Sequence, residues 1–168
     1  MSTEPVFRRA HRADLPDIVR LLADDALGAQ RESYASPLQD SYYAAFEAID
    51  ADPNNELIVA EIDGRVVGTL QLTFIPGMTY GGSWRALIEA VRVDRSVRSM
   101  GIGRKLITWA VEQAAHRGCR MVQLTSNKAR SDAIRFYESI GFVASHEGMK
   151  LHLPRAAEVP AGGQPNGT

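Results

Sequence analysis

Two glycines, Gly101 and Gly103, stand one residue apart in the stretch RSMGIG, between a strand-like run and a helix-like run. The first turn of a helix leaves backbone N–H groups without intrahelical partners, and its dipole is positive there, so it favours anions such as phosphates. Glycine removes side chains where a phosphate must approach the backbone, and it permits unusual φ and ψ angles. Arg98, Arg104 and Lys105 add positive charge, and arginine can bind phosphate through two parallel hydrogen bonds. These residues predict a pyrophosphate-binding helix N-terminus.

Two better-known phosphate motifs do not fit this stretch. A P-loop requires GxxxxGK followed by Ser or Thr, whereas Gly103 is followed by Arg104, Lys105 and Leu106. The dinucleotide fingerprint GxGxxG requires a third glycine at the position that Leu106 occupies. On these six residues alone, a plain strand-to-helix turn is the alternative to an anion site.

The composition excludes several other classes of function. The chain has 168 residues, 45% of them hydrophobic, and its net charge of −1 gives no electrostatic argument for nucleic acid. Its single cysteine, Cys119, cannot form an internal disulfide, and no Cys/His cluster has the spacing of a metal site. No apolar run approaches the ~18 residues of a membrane-spanning helix, and the N-terminus has no secretory pattern. We therefore expect no metal, no nucleic acid, no membrane partner and a cytoplasmic location.

Hydrophobic periodicity and turn signals predict the elements that position the two glycines. The predicted strands span residues 5–10, 56–62, 65–74, 84–93 and 119–126. The predicted helices are one capped by Asp14 and beginning at Leu15, then 39–51, the segment between Gly101 and Gly118, and 131–140. Residues 142–153 are expected to form a last strand pair, and the Pro- and Gly-rich residues 154–168 a disordered tail. This order predicts an α/β fold, a mixed β-sheet flanked by helices on both faces.

The stretch RSMGIG also fits the pattern (Arg/Gln)-x-x-Gly-x-(Gly/Ala), which binds the pyrophosphate of acyl-CoA in the GNAT superfamily of N-acetyltransferases. The chain resembles this family over residues 5–153, because IEAVRV, RSMGIG, the following helix and strand, and RFYESIGF come in the family's order and spacing. The resemblance implies a GNAT-like fold with splayed central strands, a single N-acetyltransferase domain over residues 1–153, and acetyl-CoA as the acetyl donor.

The resemblance also implies which residues hold the cofactor. The strand that carries Val91, Arg92 and Val93 would splay from residues 121–126, and the pantetheine arm would pair with its backbone as an added strand does. Plain core packing of both valines is compatible with this role, since the contacts come from the backbone. The residues implied to surround the pyrophosphate are Arg98, Ser99, Met100, Gly101, Ile102, Gly103, Arg104 and Lys105.

Two further residues are assigned to the cofactor by the same resemblance. Tyr137, in RFYESIGF, stands where the family often has a tyrosine near the thioester sulfur. It would act as the general acid that protonates the departing CoA thiolate, since a phenol with a pKa near ~10 keeps its proton at neutral pH. A packed ring with its hydroxyl in solvent is the alternative. Asn127 would hydrogen-bond the cofactor amide, and a turn-forming or helix-capping role is its alternative.

Glu89 is the candidate general base. It lies two residues before Val91, so strand alternation predicts that both side chains face the same side, near the catalytic gap. There its carboxylate would take a proton from the incoming amine, directly or through water. A paired or solvent-facing glutamate is the alternative. A backbone N–H at about Val91 is the implied donor to the tetrahedral oxyanion.

The resulting hypothesis is an acyltransferase that moves acetyl from acetyl-CoA to a primary amine, of a small molecule, by direct attack without an acyl-enzyme. One alternative is a non-catalytic acyl-CoA-binding or interaction module on the same fold, and another is a protein or peptide N-acetyltransferase. Residues 24–38, the second helix and the loop 75–83 are expected to wall the acceptor pocket. Pairing of residues 142–153 across a homodimer interface is a further hypothesis.

Overall fold

The computed structural model of the protein describes residues 4–24 and 26–153. Its strands are β1 (Val6–Arg9), β2 (Asn55–Ile62), β3 (Arg65–Pro76), β4 (Trp84–Val93) and β5 (Cys119–Leu124). Its helices are α1 (Leu15–Ala23), α2 (Asp40–Ala51), the single turn α3 (Thr79–Gly82), α4 (Ile102–His116) and α5 (Ser131–Glu138). Two 3₁₀ turns, Arg12–Asp14 and Arg95–Met100, precede α1 and α4. The predicted tail 154–168 lies outside the described residues.

The five strands form one mixed sheet in the order β1-β2-β3-β4-β5. The pairs β1–β2, β2–β3 and β3–β4 are antiparallel, and β5 runs parallel to β4. The hairpin between β2 and β3 turns at Asp63 and Gly64, which both have positive φ (47° and 78°). A two-residue turn of this kind matches the twist of the flanking strands, so the Asp-Gly signal is confirmed.

Helices cover both faces of this sheet, as predicted. On one face α1 and α2 enclose the α1-side cluster, whose buried members include Ile18, Leu21, Phe46, Val59 and Val66. On the other face α4 encloses the α4-side cluster. The buried members of that cluster include Leu70, Leu72, Ile88, Ile102 and Leu106. Phe136 and Tyr137 of α5 pack against the α4-side cluster as well.

Strand β5 pairs up to its last residue with the first half of β4. Pairing joins Trp84–Ile88 of β4 to β5, and β5 ends at Leu124. The last five residues of β4, 89–93, therefore have no strand neighbour on the β5 side among the described residues. The pairing thus ends at the place where the sequence predicts a splay, and we call the space beside residues 89–93 on that side the gap.

A β-bulge lies at the point where β4 leaves β5. Gln71 of β3 pairs with Glu89, but Thr69 pairs with Arg92, so β4 carries one extra residue between these pairs. Ala90 within this bulge has a φ of 54°, in the left-handed region that side chains disfavour. A bulge bends its strand and increases its twist, so β4 changes direction just after its pairing with β5 has ended.

Two predictions about local structure are wrong. Residues 142–153 form no strand: the side chains of Val143, Met149, Leu151 and Leu153 are exposed. Their apolar alternation is a strand pattern, but a strand requires a neighbour, and none is paired with it in the part of the chain that the structure describes. The carboxylate of Asp14 does not cap α1, because it accepts from the His11 N–H and from Arg8 instead.

The conformation of Ala90 predicts an unusual pattern of substitutions. We expect Ala90→Gly to keep or raise stability, because glycine adopts a φ of 54° without the cost of about 1–2 kcal/mol that other residues carry. Ala90→Val should lower the free energy of unfolding by at least that amount, since a β-branched side chain tolerates this region least. Urea denaturation of both variants tests the pattern. Equal destabilisation by both changes would argue against a strained bulge.

Candidate active site

The stretch RSMGIG joins β4 to α4 through a 3₁₀ turn and one left-handed residue. Gly101 has a φ of 73° and is the residue from which α4 begins. Its carbonyl accepts the N–H of Lys105 at 3.1 Å, which is the first hydrogen bond of the helix. The N–H groups ahead of Lys105 in the first turn have no intrahelical acceptor, so they are available to an anion. The backbone conformation alone explains why position 101 is glycine.

Gly103 has a different reason to be glycine. Its φ is ordinary, and a Cβ added there would lie 3.6 Å from Phe136 Cζ and 3.7 Å from Val93 Cγ2. These are normal van der Waals distances, so neither backbone strain nor packing excludes alanine. A methyl group there would lie beside Phe136 and Val93 at the first turn of α4. A tight turn accounts for Gly101 but not for Gly103.

The three basic side chains beside the glycines point in different directions. Arg98 Nε donates to Val93 O at 3.2 Å, which keeps its guanidinium at the end of β4. Arg104 Nη2 donates to Ser139 Oγ at 3.0 Å, next to the end of α5. Lys105 Nζ pairs with the carboxylate of Glu4, with a nearest distance of 2.7 Å, on the side of β1. Arg98 is therefore the cation held against the strand that borders the gap.

Residues 91–93 at the end of β4 make side-chain contacts beside the gap. Val91 and Val93 pack against the α4-side cluster, which leaves their backbone groups at the strand edge. Arg92 Nη1 donates to Val91 O at 2.9 Å. Core packing of the valines is thus observed, and it is compatible with the backbone role predicted for residues 91–93.

Tyr137 has a packed ring on the α4 side of the sheet. The ring makes edge-to-face contacts with Phe136 and Phe142, at centroid distances of 5.3 Å and 5.9 Å. Burial raises the pKa of the Tyr137 phenol, and the charges of Arg130 and Arg92 oppose this shift. The phenol is therefore protonated at neutral pH, which is the state that a general acid requires.

The common face expected for Glu89 and Val91 is wrong, because the bulge at Ala90 interrupts the alternation of β4. Glu89 pairs with Gln71, and Gln71 alternates along β3 with Leu70 and Leu72 of the α4-side cluster. Paired residues share a face, so Glu89 lies on the α1 side of the sheet, opposite to Val91. Its side chain is exposed there.

Asn127 shapes the loop that follows β5. Its Oδ1 accepts the N–H of Ala129 at 2.9 Å, and its carbonyl accepts the N–H of Arg130 at 2.9 Å. This is a side-chain-stabilised turn, the alternative that its residue type allowed. A hydrogen bond from Asn127 to a cofactor amide stays a prediction.

A family model described as the acetyltransferase (GNAT) family matches residues 22–142, which include the sheet from β2 onward, the RSMGIG turn and α5. The chain belongs to the GNAT family. Enzymes of this family take their acetyl group from acetyl-CoA.

Individual relatives agree with this assignment. The crystal structure of a transcriptional regulator from Bacillus halodurans C-125 is 53% identical with a TM-score of 0.87, and the match covers 89% of this chain and 100% of that one. Glucosamine 6-phosphate N-acetyltransferase of Trypanosoma brucei brucei is 39% identical over 54% of this chain and 59% of its own length. Aminoalkylphosphonate N-acetyltransferase of Salmonella typhimurium is 34% identical over 60% of this chain and 65% of its own length. The chain thus spans about three fifths of these two curated relatives.

In this GNAT chain the segment expected to wall the acceptor pocket is tied to α2. Tyr42 of α2 donates its hydroxyl to Glu32 at 2.9 Å and accepts the N–H of Ser33 at 3.0 Å. In the expected wall segment 75–83, the ring of Tyr80 is covered by the guanidinium of Arg120, which lies 4.9 Å from the ring centroid. Asp25, also expected at this wall, lies outside the described residues.

The sequence did not single out one buried polar residue beside the RSMGIG turn of this GNAT chain, Asp94, which lies between β4 and the 3₁₀ turn. Its carboxylate accepts from Ser96, Arg20 and Arg65. The local signal was an aspartate directly after a strand and two residues before a serine, which is a capping pattern. The arginines are distant in sequence, and no local pattern identifies them.

The described residues also bear on metal and membrane roles. No group of three or more His, Cys, Asp or Glu side chains in ranges 4–24 and 26–153 is arranged to hold a metal ion. No helix within the same ranges is long and apolar enough to cross a membrane.

Gly103 gives a direct test of the anion site. We expect Gly103→Ala to fold with an unchanged Tm, because the added methyl group has room, and to bind acetyl-CoA at least tenfold more weakly, because the methyl group occupies the approach to the first turn of α4. Titration calorimetry measures the affinity. Gly148→Ala is the matched control for the glycine-to-alanine change, since Gly148 also has room for a Cβ, 3.8 Å from Thr125 Cγ2. Unchanged affinity in Gly103→Ala would contradict a phosphate contact there.

Proposed function

We propose that this protein is an N-acetyltransferase that moves the acetyl group of acetyl-CoA to a primary amine of a small molecule. The observation that carries this proposal is that two features of the backbone adjoin, the edge of a strand and the N-terminal turn of a helix. The edge of β4 over residues 89–93, which pairs with no strand on the β5 side among the described residues, leads through the 3₁₀ turn 95–100 to the first turn of α4 at Gly103. An extended pantetheine arm with a pyrophosphate at one end has the shape and charge that this conjunction accommodates.

The proposed reaction is a direct transfer. The amine nitrogen attacks the thioester carbonyl carbon, the carbonyl oxygen takes the negative charge, and the C–S bond then breaks as the carbonyl re-forms. The proton lost by the amine goes to the Glu89 carboxylate, directly or through water, and the Tyr137 phenol protonates the departing thiolate. A backbone N–H at about Val91 donates to the oxyanion. No acyl-enzyme forms.

The positions of Glu89 and Tyr137 support this division of roles. Glu89 lies on the α1 side of the sheet and is exposed, whereas Tyr137 packs on the α4 side, close to the positive charges of Arg92 and Arg130. A thioester bound along the end of β4 would then have the base, Glu89, on one side and the acid, Tyr137, on the other. The amine would then approach from the α1 side and the thiol would leave toward the α4 side.

A small acceptor is favoured over a peptide by the contacts of residues 24–38. The Glu32–Tyr42 and Ser33–Tyr42 hydrogen bonds hold this segment against α2, on the α1 side of the sheet from which the amine is proposed to approach. The curated relatives named for glucosamine 6-phosphate and aminoalkylphosphonate carry small amines in their names. We propose a small primary amine on these grounds.

Paired variants test the proposed reaction. We expect Tyr137→Phe and Glu89→Gln each to lower kcat by about 10²- to 10⁴-fold, the usual contribution of a general acid or base, while the Kd for acetyl-CoA changes less than threefold. A thiol-release assay on a panel of amines and peptides measures turnover, and calorimetry measures Kd. Tyr43→Phe and Glu112→Gln are controls of the same chemistry away from the gap. Full activity in both site variants would remove the assigned roles.

The same panel separates the two alternative functions. The 53%-identical structure is that of a transcriptional regulator, so a non-catalytic acyl-CoA-binding module is the first alternative to test. Such a module would bind acetyl-CoA and release no thiol with any acceptor. A protein or peptide N-acetyltransferase would release thiol with peptides and not with small amines. Either result would replace the proposed function.

We also propose that the chain forms a homodimer through residues 142–153. Met149 is 94% exposed, Leu151 88% and Leu153 80%, which is unusual for large apolar side chains spaced two apart. Pairing with a second copy would give this strand pattern the neighbour that it lacks among the described residues. The predicted cytoplasmic location stays a prediction.

Light scattering across a range of concentrations tests the dimer. We expect a dimer in the native protein and a monomer in Met149→Lys/Leu151→Lys, because lysine removes the apolar contact from one face of the segment. The matched control is Lys150→Ala/His152→Ala, which changes the alternate face and should leave the dimer intact. A native protein that is monomeric at all concentrations would refute the pairing.

A further inference from the structure

We propose that Asp94 is a positioning residue for the acyl-CoA site: it holds the 3₁₀ turn 95–100, and through that turn it sets where the first turn of α4 stands. This inference rests on the proposed function, since it concerns the same site. Asp94 does not need to touch the cofactor to act in this way. Its effect would pass through the backbone that carries Arg98 and Gly101.

One oxygen of the Asp94 carboxylate caps the turn. Oδ1 accepts the N–H of Ser96 at 3.0 Å and the Ser96 hydroxyl at 2.7 Å. The backbone of Asp94 is fixed as well, because its N–H donates to Val67 O at 2.8 Å and its carbonyl accepts the N–H of Val97 at 3.1 Å. The start of the turn is thereby tied to β3.

The other oxygen ties the turn to two distant elements. Oδ2 accepts from Arg20 Nη1 of α1 at 3.0 Å and from Arg65 Nη2 of β3 at 2.8 Å. Burial opposes the ionised form of Asp94, yet the hydrogen bonds from Ser96 and Arg20 and the charge of Arg65 hold the pKa of this carboxyl well below its usual range. The carboxylate stays ionised across neutral pH, so these bonds persist under assay conditions.

The other contacts of the turn are partly buried or at the surface. None of its residues, 95–100, is fully buried, and Val97 packs, partly buried, against the α4-side cluster. Arg95 and Arg98 reach Asp24 at the end of α1, but those pairs are exposed and weak. Asp94 is the residue of this connection that is both charged and only 7% exposed. A small displacement of a binding group can reduce its contribution sharply, so the position of this turn matters.

Substitution at Asp94 can separate the cap from the arginine contacts. Asparagine caps about as well as aspartate, so Asp94→Asn keeps the Ser96 contact and loses the charge that binds Arg20 and Arg65. Asp94→Ala loses both. We expect the KM for acetyl-CoA to rise about 10- to 100-fold in Asp94→Ala and by a smaller factor in Asp94→Asn, with kcat at saturation nearly unchanged.

Two comparisons distinguish positioning from general destabilisation. S-acetylpantetheine lacks the pyrophosphate, so its kcat/KM should be nearly the same in native protein and both Asp94 variants. Asp14→Asn is the matched control: Asp14 also accepts from a backbone N–H at a 3₁₀ turn and pairs with an arginine, Arg8, but β2 and β3 separate β1 from β4. It should lose stability and keep its affinity for acetyl-CoA.

The outcomes are decisive in each case. If native protein does not bind acetyl-CoA, the proposed function fails. If native protein binds it and Asp94→Ala or, should that variant not fold, Asp94→Asn binds it equally well, the positioning role fails while the function stands. Equal losses for acetyl-CoA and S-acetylpantetheine, or an equal loss in Asp14→Asn, would overturn the role too, because they indicate general destabilisation.

Discussion

The separation of β4 from β5 after Ile88 is the constraint on which the site depends. A strand edge carries backbone N–H and C=O groups that need partners, and over residues 89–93 no strand supplies them on the β5 side among the described residues. An extended ligand can supply them in the geometry of a strand. The bulge at Ala90 bends β4 at the start of this edge. If β5 paired with β4 over residues 89–93 as well, this edge would no longer be available to a ligand, although no side chain would have changed.

The end of β4 determines where the proposed anion site lies. The strand ends at Val93, the capped 3₁₀ turn follows, and the left-handed Gly101 sets the direction in which α4 leaves. One glycine is required by the backbone and the other leaves space, so the two have different physical origins. Both the strand edge and the helix N-terminus offer backbone donors, which suits a ligand recognised by shape and charge more than by side-chain identity.

The sequence predicted the elements well because their signals are local. The amphipathic pattern of α1, the Asp-Gly turn and the glycine ends of α4 and α5 each act within a few residues. The orientation of Glu89 could not be predicted, because an alanine with positive φ gives no signal in the sequence and one extra residue reverses the alternation. The strand predicted at 142–153 failed for a related reason: a strand pattern is local, but a strand requires a partner.

The contacts of the basic side chains near the two glycines show why a count of basic residues overestimates the positive charge available to an anion. Three basic residues within eight positions suggest a single cluster, yet Arg104 and Lys105 are bound to Ser139 and Glu4 on other sides of α4. Arg98 remains beside the gap, held by Val93 O and 3.9 Å from a carboxylate oxygen of Asp24. An exposed pair at that distance contributes little, so an arriving pyrophosphate can replace Asp24 at small cost. Arg98 and the backbone N–H groups are therefore the groups that we propose to carry most of the pyrophosphate recognition.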